Sequence, residues 1–276
     1  MWNRIEANSM AFSGAESYDE KQNSRRVSYP STGYNACLAI EDDSFWFQHR
    51  NKVISYFIEQ ENPINFLDVG GGNGFQSMMA QNLGIDTIMV EPGINGAQNA
   101  RNRGVKKIVN GTMSDLESLS VAFHSAGAFD VVEHIEDDIK FLGQMNRLMI
   151  PGAPLYLTVP AFNFLWSVDD VSAGHYRRYT KKKIKRSVEA AGFRLEYCSY
   201  FFSATFLPLL LLRAIPSLLG IRRQGELENK QASEHKSGGV LLSIVNAILA
   251  FEKKILSMGL SIPFGSSIIV VARKDG

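Results

Sequence analysis

The sequence predicts an α/β protein built on a doubly wound, seven-stranded sheet, with an apolar helical insertion between strands six and seven. Two observations predict the sheet: short apolar runs alternate with helical segments, and a glycine-rich turn follows the first of these runs. Strands that alternate with helices pair in parallel and are covered on both faces. A third observation predicts the insertion, because two long apolar stretches separate the sixth run from the seventh.

The composition fits one globular core of a 276-residue chain with length left for an accessory region. Hydrophobic residues make up 45% and charged residues 21%, which argues against wholesale disorder, and the net charge of +1 gives no global attraction for nucleic acid. Cys37 and Cys198 lie far apart and outside any metal-ligand spacing, and residues 1–10 lack the pattern of a signal peptide. We therefore expect a reduced, cytoplasmic protein.

The N-terminal half is expected to supply a polar arm, two helices and three strands. Residues 1–33 form the arm, and residues 41–60 place apolar side chains at helical spacing after an acidic start. A further helix is predicted over FQSMMAQNLG (75–84), which Gly84 closes. Three apolar runs predict buried strands, and these are INFLDVG (64–70), DTIMVEP (86–92) and KKIVNG (106–111).

The C-terminal half is expected to complete the sheet around the insertion. Thr180 has the side chain of an N-cap, and the helix that it starts ends at Gly192. We divide the remaining chain into a core of residues 34–200, an insertion of residues 201–262 and a final core strand within residues 263–276. The last four strands are predicted at AFHSAGAF (122–129), PLYLTVP (154–160), RLEYCSYFF (194–202) and SSIIVVARK (266–274).

The turn after the first strand carries the pattern D-x-G-x-G-x-G, from Asp68 to Gly74. Such a turn between a strand and a helix presents backbone N–H groups to an anionic or polar ligand. The dinucleotide fingerprint fails, because Phe75 stands where its third glycine or alanine belongs. The second strand is followed by Glu91, placed to accept hydrogen bonds from the two hydroxyls of a ribose, although nicotinamide enzymes use the same device.

These residues resemble the class I S-adenosylmethionine-dependent methyltransferases, which share a Rossmann-like fold. LDVGGGNG (67–74) is similar to the first motif of that family and VEP (90–92) to its second, and the fold places the seventh strand antiparallel between the fifth and sixth. Four further stretches resemble signatures of a bacterial subgroup similar to ubiquinone-type O-methyltransferases. These are SFWFQHRN (44–51), AGAFDVVEHIEDD (126–138), LTVPAFNFLWSVDD (157–170) and AGHYRRYT (173–180).

The resemblance implies that S-adenosylmethionine binds at the carboxyl ends of strands one to four. The consecutive glycines would let the backbone approach the methionine part, the acid after strand two would hold the ribose, and the residues after strand three would flank the adenine. Arg50 resembles an arginine that binds the methionine carboxylate in ubiquinone-type enzymes, and its alternative is a solvated helix residue. The implied cofactor residues are Arg50, Asp68, Gly70, Gly71, Gly72, Glu91, Thr112, Met113 and Phe129, the last through its carbonyl.

Asp130, Glu133 and His134 follow the fourth strand and face the methyl group in such enzymes. If a helix starts near Asp130, offsets of three and four put the three side chains on one face. His134 is a candidate general base, because its ordinary pKa lies near neutrality. Alternatively, the three residues and His175 resemble carboxylate–histidine metal sites and would bind Mg²⁺, Mn²⁺ or Zn²⁺. A purely structural role at a helix start is the third reading.

The predicted insertion indicates which partners the protein could bind. Residues 201–220 approach the length of a membrane span, but Pro208, Arg213 and Pro216 argue against a simple crossing. Together with the amphipathic stretch 240–260 they predict a lid, a homodimer surface, peripheral docking at the inner face of the membrane, or a cap on the core. Nucleic acid is disfavoured, because the basic run from Arg177 to Arg186 lacks interleaved aromatic residues beyond Tyr176 and Tyr179.

The sequence thus predicts an S-adenosylmethionine-dependent methyltransferase, acting on an oxygen of a small-molecule, sugar or lipid-linked acceptor in a biosynthetic pathway. Two other interpretations stay open. One is a methyltransferase-like scaffold without catalysis, and the other is a nucleotide-dependent oxidoreductase, which Phe75 disfavours.

Overall fold

The computed structural model describes residues 31–116, 122–220 and 240–276. Most of the predicted arm and the polar segment 221–239 therefore lie outside the described residues. The described strands are β1 (Asn65–Val69), β2 (Asp86–Val90), β3 (Ile108–Val109), β4 (Ala126–Phe129), β5 (Pro154–Pro160), β6 (Phe193–Phe201) and β7 (Ser267–Lys274).

These strands form a single sheet in the order β3-β2-β1-β4-β5-β7-β6. β7 pairs antiparallel with both β5 and β6, whereas the pairs from β3 to β5 are parallel. The predicted doubly wound, seven-stranded fold is confirmed. The third and fourth strands are shorter than predicted, since β3 makes only two residue pairs with β2, at Ile108 and Val109, and β4 begins at Ala126 rather than residue 122.

The helices begin and end where their capping residues stand. Thr180 caps α8 by accepting from the backbone N–H of Lys183, as predicted, and Ser44 caps α2 by accepting from that of Trp46. The acids at 41–43 therefore precede α2. The described α-helices are α1 (Ser31–Glu41), α2 (Phe45–Glu61), α3 (Phe75–Asn82), α4 (Ile94–Arg103), α5 (Met113–Leu116), α6 (Asp138–Leu148), α7 (Val168–Ala173), α8 (Lys181–Ala190), α9 (Ser203–Leu209), α10 (Ile215–Leu218) and α11 (Val240–Ser257).

Both faces of the sheet are buried. One face packs Leu67, Leu157 and Val270 against α6 and α8, and the other packs Phe66 and Tyr156 against α2. Continuous apolar burial on both faces explains why the central strands read as apolar runs in the sequence. Because helices cover both faces of the sheet, the loops meet at the carboxyl ends of the parallel strands.

The insertion is helical, but its first half is not one helix. Pro208 lies in α9, and a π-helical turn at Leu210–Ala214 separates α9 from α10. The Glu252 side chain on α11 joins the two halves, because it accepts hydrogen bonds from the backbone N–H groups of Phe202 and Ser203, each at 2.7 Å. Among the described helices, none combines the length and apolar character needed to cross a membrane.

Candidate active site

A cavity of about 1120 Å³ lies at the carboxyl ends of β1, β2 and β4. The glycine turn and Glu91 form one wall, and the loop after β4 forms a second. The insertion and the start of α2 form an apolar third wall, which includes Phe45, Trp46, Leu209, Leu212 and Val245. A ligand on the glycine turn and a second molecule beside the insertion would therefore share one space.

The glycine turn brings backbone to the surface of this cavity. Gly72 has a φ of +55° and an added Cβ would meet no atom within 4 Å, so its backbone faces open space. Gly71 instead packs closely, since an added Cβ would lie 2.6 Å from the side chain of Met89. A side chain is therefore disfavoured by the left-handed backbone at Gly72 and by lack of room at Gly71.

Glu91 is buried beside this turn, and both of its oxygens accept hydrogen bonds. Oε2 accepts from the backbone N–H of Gly72 at 2.8 Å, while Oε1 accepts from the N–H of Gly93 and the hydroxyl of Tyr34, each at 2.7 Å. Burial raises the pKa of Glu91, and these hydrogen bonds oppose that rise. The carboxylate thus ties the turn to α1 at the position predicted to hold a ribose.

Asp68 offers an acceptor that no described residue occupies. Its Oδ2 accepts from the Ser77 hydroxyl at 2.6 Å, whereas its Oδ1 is buried and has no hydrogen-bond partner in the described part of the chain. Burial raises the pKa of Asp68 to about 6. A buried acceptor next to Gly71 fits a cationic or N–H group of a ligand.

The other predicted cofactor residues line the same cavity. Thr112 and Met113 stand at the start of α5, where the backbone N–H of Thr112 donates to Asp115 at 2.7 Å. Arg50 donates from Nη2 to the Phe129 carbonyl at 3.0 Å. The Phe129 carbonyl, which was predicted to accept a hydrogen bond from the adenine, therefore already accepts one from Arg50 on α2.

Asp130 departs from the predicted arrangement. Its φ is +58°, a 3₁₀ turn follows at Val132–His134, and α6 begins only at Asp138. Its Oδ2 lies 2.8 Å from Nε of Arg50. The prediction of a shared helix face for Asp130, Glu133 and His134 is therefore wrong, because the left-handed residue interrupts the helical spacing.

Glu133, His134 and His175 do come together at the cavity. One potential ligand atom from each lies within 4.8 Å of the others, and Asp130 is not part of this group. Oε2 of Glu133 is buried without a hydrogen-bond partner among the described residues. Two atoms held about 2.1 Å from one ion lie at most about 4.2 Å apart. Among the described residues, these three side chains are a group that could hold a divalent metal ion.

The Asp170 carboxylate contacts the His175 imidazole. Nδ1 of His175 lies 2.8 Å from Oδ1 of Asp170, and Nε of Arg178 lies 2.8 Å from the same oxygen. Oδ2 accepts from the backbone N–H of Ser167, which closes the capping box of α7. Burial alone would raise the pKa of Asp170, but the His175 hydrogen bond and the Arg178 guanidinium hold it below its usual value.

Burial favours the neutral forms of Glu133 and His134. It raises the pKa of Glu133 well above the usual range, and the nearby Asp130 carboxylate adds to this rise. Burial and the neighbouring His175 lower the pKa of His134 to about 4. At neutral pH the His134 imidazole is therefore uncharged, and it is a weaker base than an exposed imidazole.

Sequence reasoning missed Tyr34 and Asp170. The pattern Ser167-x-x-Asp170 is a capping-box signal that marks the start of α7. The contact of Asp170 with His175 has no comparable local signal. The contact of Tyr34 with Glu91 joins residues 57 positions apart, and nothing in the sequence around Tyr34 announces it.

The sequence was then compared with known proteins. The profile of a family described as a methyltransferase domain matches residues 43–197. This span contains the glycine turn, Glu91 and the cluster at the cavity. No curated protein sequence matches the chain.

Solved structures share the fold at low identity. The chain is similar to phosphoethanolamine N-methyltransferase 2 of Haemonchus contortus in complex with S-adenosyl-L-methionine, at a TM-score of 0.57 and 17% identity, over 95% of this chain and 61% of that one. A SAM dependent methyltransferase from Archaeoglobus fulgidus matches at 0.51 and 16%, over 81% and 94%. A possible histamine N-methyltransferase from Thermotoga maritima matches at 0.53 and 16%, over 88% and 96%.

Proposed function

The chain belongs to the methyltransferase domain family and is an S-adenosylmethionine-dependent methyltransferase, and from that premise we propose that it methylates an oxygen of an acceptor with an apolar portion. One observation carries the proposal. A single cavity is lined by the glycine turn and Glu91, by the cluster of Glu133, His134 and His175, and by the apolar insertion. A cofactor on the glycine turn, a group that takes up the proton and an apolar surface for the methyl acceptor would therefore share one space.

The cofactor-binding roles follow from the groups that face this cavity. Glu91 accepts from the ribose hydroxyls, the exposed backbone at Gly72 lies against the methionine part, and the free Oδ1 of Asp68 accepts from its ammonium group. Arg50 forms an ion pair with Asp130 and donates one hydrogen bond to the Phe129 carbonyl, and its remaining N–H donors bind the methionine carboxylate. Thr112 and Met113 enclose the adenine.

The cluster prepares the acceptor for the transfer. The cofactor supplies a methyl group on a sulfonium centre, and the acceptor oxygen displaces the sulfur as S-adenosylhomocysteine leaves. His134 is the uncharged imidazole placed at the cavity to accept the hydroxyl proton during the transfer, and the departure of the sulfonium leaving group supplies the driving force that its lowered pKa does not. Asp170 fixes the Nδ1–H tautomer of His175, which leaves Nε2 of His175 as an acceptor beside His134.

The apolar wall points to the acceptor class. Phe45, Trp46 and Val245 line the cavity away from the glycine turn, and they suit the hydrocarbon part of a lipid-linked or other amphiphilic alcohol. Two of the solved structures described above are named as N-methyltransferases, so an amine of the same class is the main competing acceptor. Assays with an alcohol and an amine that carry the same apolar portion distinguish the two acceptor types.

The test compares His134→Ala with His124→Ala, a histidine that instead contacts Asn65 before β4. Purified full-length protein is first titrated with S-adenosylhomocysteine by calorimetry, and methyl transfer is then followed with labelled cofactor and the paired amphiphiles. We expect His134→Ala to lose about 10²–10⁴-fold in rate with cofactor affinity retained, and His124→Ala to lose nothing. Transfer only to the amine would refute O-methylation, and cofactor binding without turnover of any acceptor would favour an inactive scaffold.

Metal binding by the cluster is the second candidate, and the buried, unpartnered Oε2 of Glu133 favours it. Glu133, His134 and His175 would hold Mg²⁺, Mn²⁺ or Zn²⁺, and the ion would lower the pKa of an acceptor hydroxyl. Metal binding is measured directly by titrating Mn²⁺ and Zn²⁺ into metal-free protein, with His175→Ala against His124→Ala. Loss of affinity in His175→Ala alone supports the metal, whereas full activity in excess EDTA leaves only the base.

A further inference from the structure

The outer side of the insertion is apolar along both of its helical halves. In the first half, the exposed apolar side chains recur at helical spacing, and the described residues leave one flank of α9 to α10 uncovered. These side chains are Leu207, Leu211, Leu212, Ile215, Leu218 and Leu219. Leu218 is 75% exposed, so folding of the described residues leaves most of this side chain in water.

The second half repeats the pattern. Ile244, Ile248 and Phe251 are exposed on α11 at offsets of four and three, which places them on one face of that helix. Phe264, in the loop before β7, is also exposed, and its ring lies 5.8 Å from that of Phe206 on α9. The loop therefore adjoins the two helical halves, and we call the exposed apolar side chains of residues 203–220 and 240–264 the insertion surface.

Within the described part of the insertion, the charged residues that are not buried are basic. In the described residues 201–220 and 240–266 the acidic residue is Glu252, which is buried against His49 and Ser203. Lys254 lies on α11 three positions after Phe251, beside the apolar face, and Nζ of Lys181 donates to the Ser261 hydroxyl at 2.8 Å, which brings the basic start of α8 to the same loop. An apolar surface with cationic flanks complements anionic lipid.

The insertion surface is also continuous with the cavity. Leu212 belongs to the surface and lines the cavity, and Leu209 and Val245 line it from the same two helices. A second copy of the chain is a poorer occupant, because a two-fold contact sets each patch against itself and would bring the lysine flanks of both copies together. A bilayer would neutralise those flanks.

We propose that the insertion surface docks the protein on the face of an anionic bilayer, with α9, α10 and α11 lying in the interface. The proposal goes beyond methyl transfer, because docking needs neither cofactor nor acceptor. It gives an amphiphilic acceptor a direct route from the lipid into the cavity.

The test is co-sedimentation of the full chain with vesicles of phosphatidylcholine, with and without phosphatidylglycerol. We expect binding to the vesicles that contain phosphatidylglycerol, weakened by high salt. Leu218→Ser and Phe251→Ser should each weaken it roughly ten-fold or more, the effect of keeping one large apolar side chain out of the lipid. Ile64→Ser is the matched control, because Ile64 is 72% exposed and stands before β1, outside the insertion.

Calorimetry with S-adenosylhomocysteine checks that each variant is folded. The proposal is overturned if the wild-type chain leaves anionic vesicles unbound, or if Ile64→Ser weakens binding as much as the insertion variants do. Sedimentation velocity provides a further arm. A dimer that Leu218→Ser dissociates, without vesicle binding by the wild type, would assign the surface to a second copy instead.

Discussion

Nδ1 of His175 lies 2.8 Å from Oδ1 of Asp170, and the carboxylate is buried behind the imidazole. We expect Asp170→Asn to lower the rate of methyl transfer roughly 10–100-fold, because an amide no longer fixes which ring nitrogen carries the proton. Affinity for S-adenosylhomocysteine should change little. Asp169→Asn is the control, since that neighbour pairs with Arg213. Equal rates for the two variants would remove Asp170 from the mechanism.

The pKa of His134 is lowered to about 4 by burial and by the nearby His175. The ordinary value near 6.5 applies to the unfolded chain, so His134 stabilises the fold fully above that pH and less as the pH falls towards 4. The stability difference between wild type and His134→Gln should therefore shrink by on the order of 2–3 kcal/mol between pH 7 and 4.5. Urea unfolding at both pH values measures this stability difference. An NMR titration midpoint of His134 near pH 6.5 would contradict the prediction.

Glu91 accepts three hydrogen bonds next to the glycine turn. Glu91→Gln should weaken binding of S-adenosylhomocysteine about 10–100-fold, because hydrogen bonds to a charged group contribute about 1.5–3 kcal/mol. Calorimetry gives the affinity. Asp86→Asn, at the other end of β2, should bind as the wild type does. An unchanged affinity for Glu91→Gln would place the ribose elsewhere.

Asp130 combines a left-handed φ of +58° with an ion pair to Arg50. Asp130→Ala and Asp130→Gly both lose the ion pair, but glycine adopts this backbone without strain. Asp130→Gly should therefore be more stable than Asp130→Ala by about 1 kcal/mol, and the comparison is made by urea unfolding. If alanine were the more stable of the two, the backbone at this position would have to relax out of the left-handed region.

Glu252 fastens α11 to the start of α9 and to His49 on α2. Burial opposes its ionisation, but the hydrogen bonds from His49 and Ser203 lower its pKa. Its contribution is present above the unfolded pKa near 4.3 and is lost as the pH falls through the lower folded value. Glu252→Gln should cost about 2–4 kcal/mol at pH 7 and much less at pH 3, whereas Glu59→Gln, on the exposed side of α2, should cost little at either pH.

The strands were predictable where burial on both faces makes the sequence uniformly apolar. PLYLTVP coincides with β5, and its residues are all buried. β3 has too few paired residues to match its apolar run, since it pairs with β2 only at Ile108 and Val109. The insertion was expected as two helices, and the π-helical turn after Pro208 could not be read from composition.

The site was predictable as a location and less so as a set of contacts. Gly72 and Glu91 were found because a turn motif fixes their neighbours along the chain. Asp130 was expected on the wrong face, because offsets of three or four residues put side chains on one face only within a helix. The left-handed backbone at Asp130 cannot be recognised from residue spacing. Asp170 depends on a contact with His175 that packing creates.

β7 lies between β5 and β6, and it pairs along its length with both. During synthesis β6 leaves the ribosome well before residues 267–274 do, so for that interval β5 and β6 each have an open edge. Such edges recruit other chains. Pairing of β5 and β6 within the sheet therefore waits for β7, and a chain interrupted within residues 202–266 would leave unpaired the edges of β5 and β6 that β7 covers and be prone to aggregate.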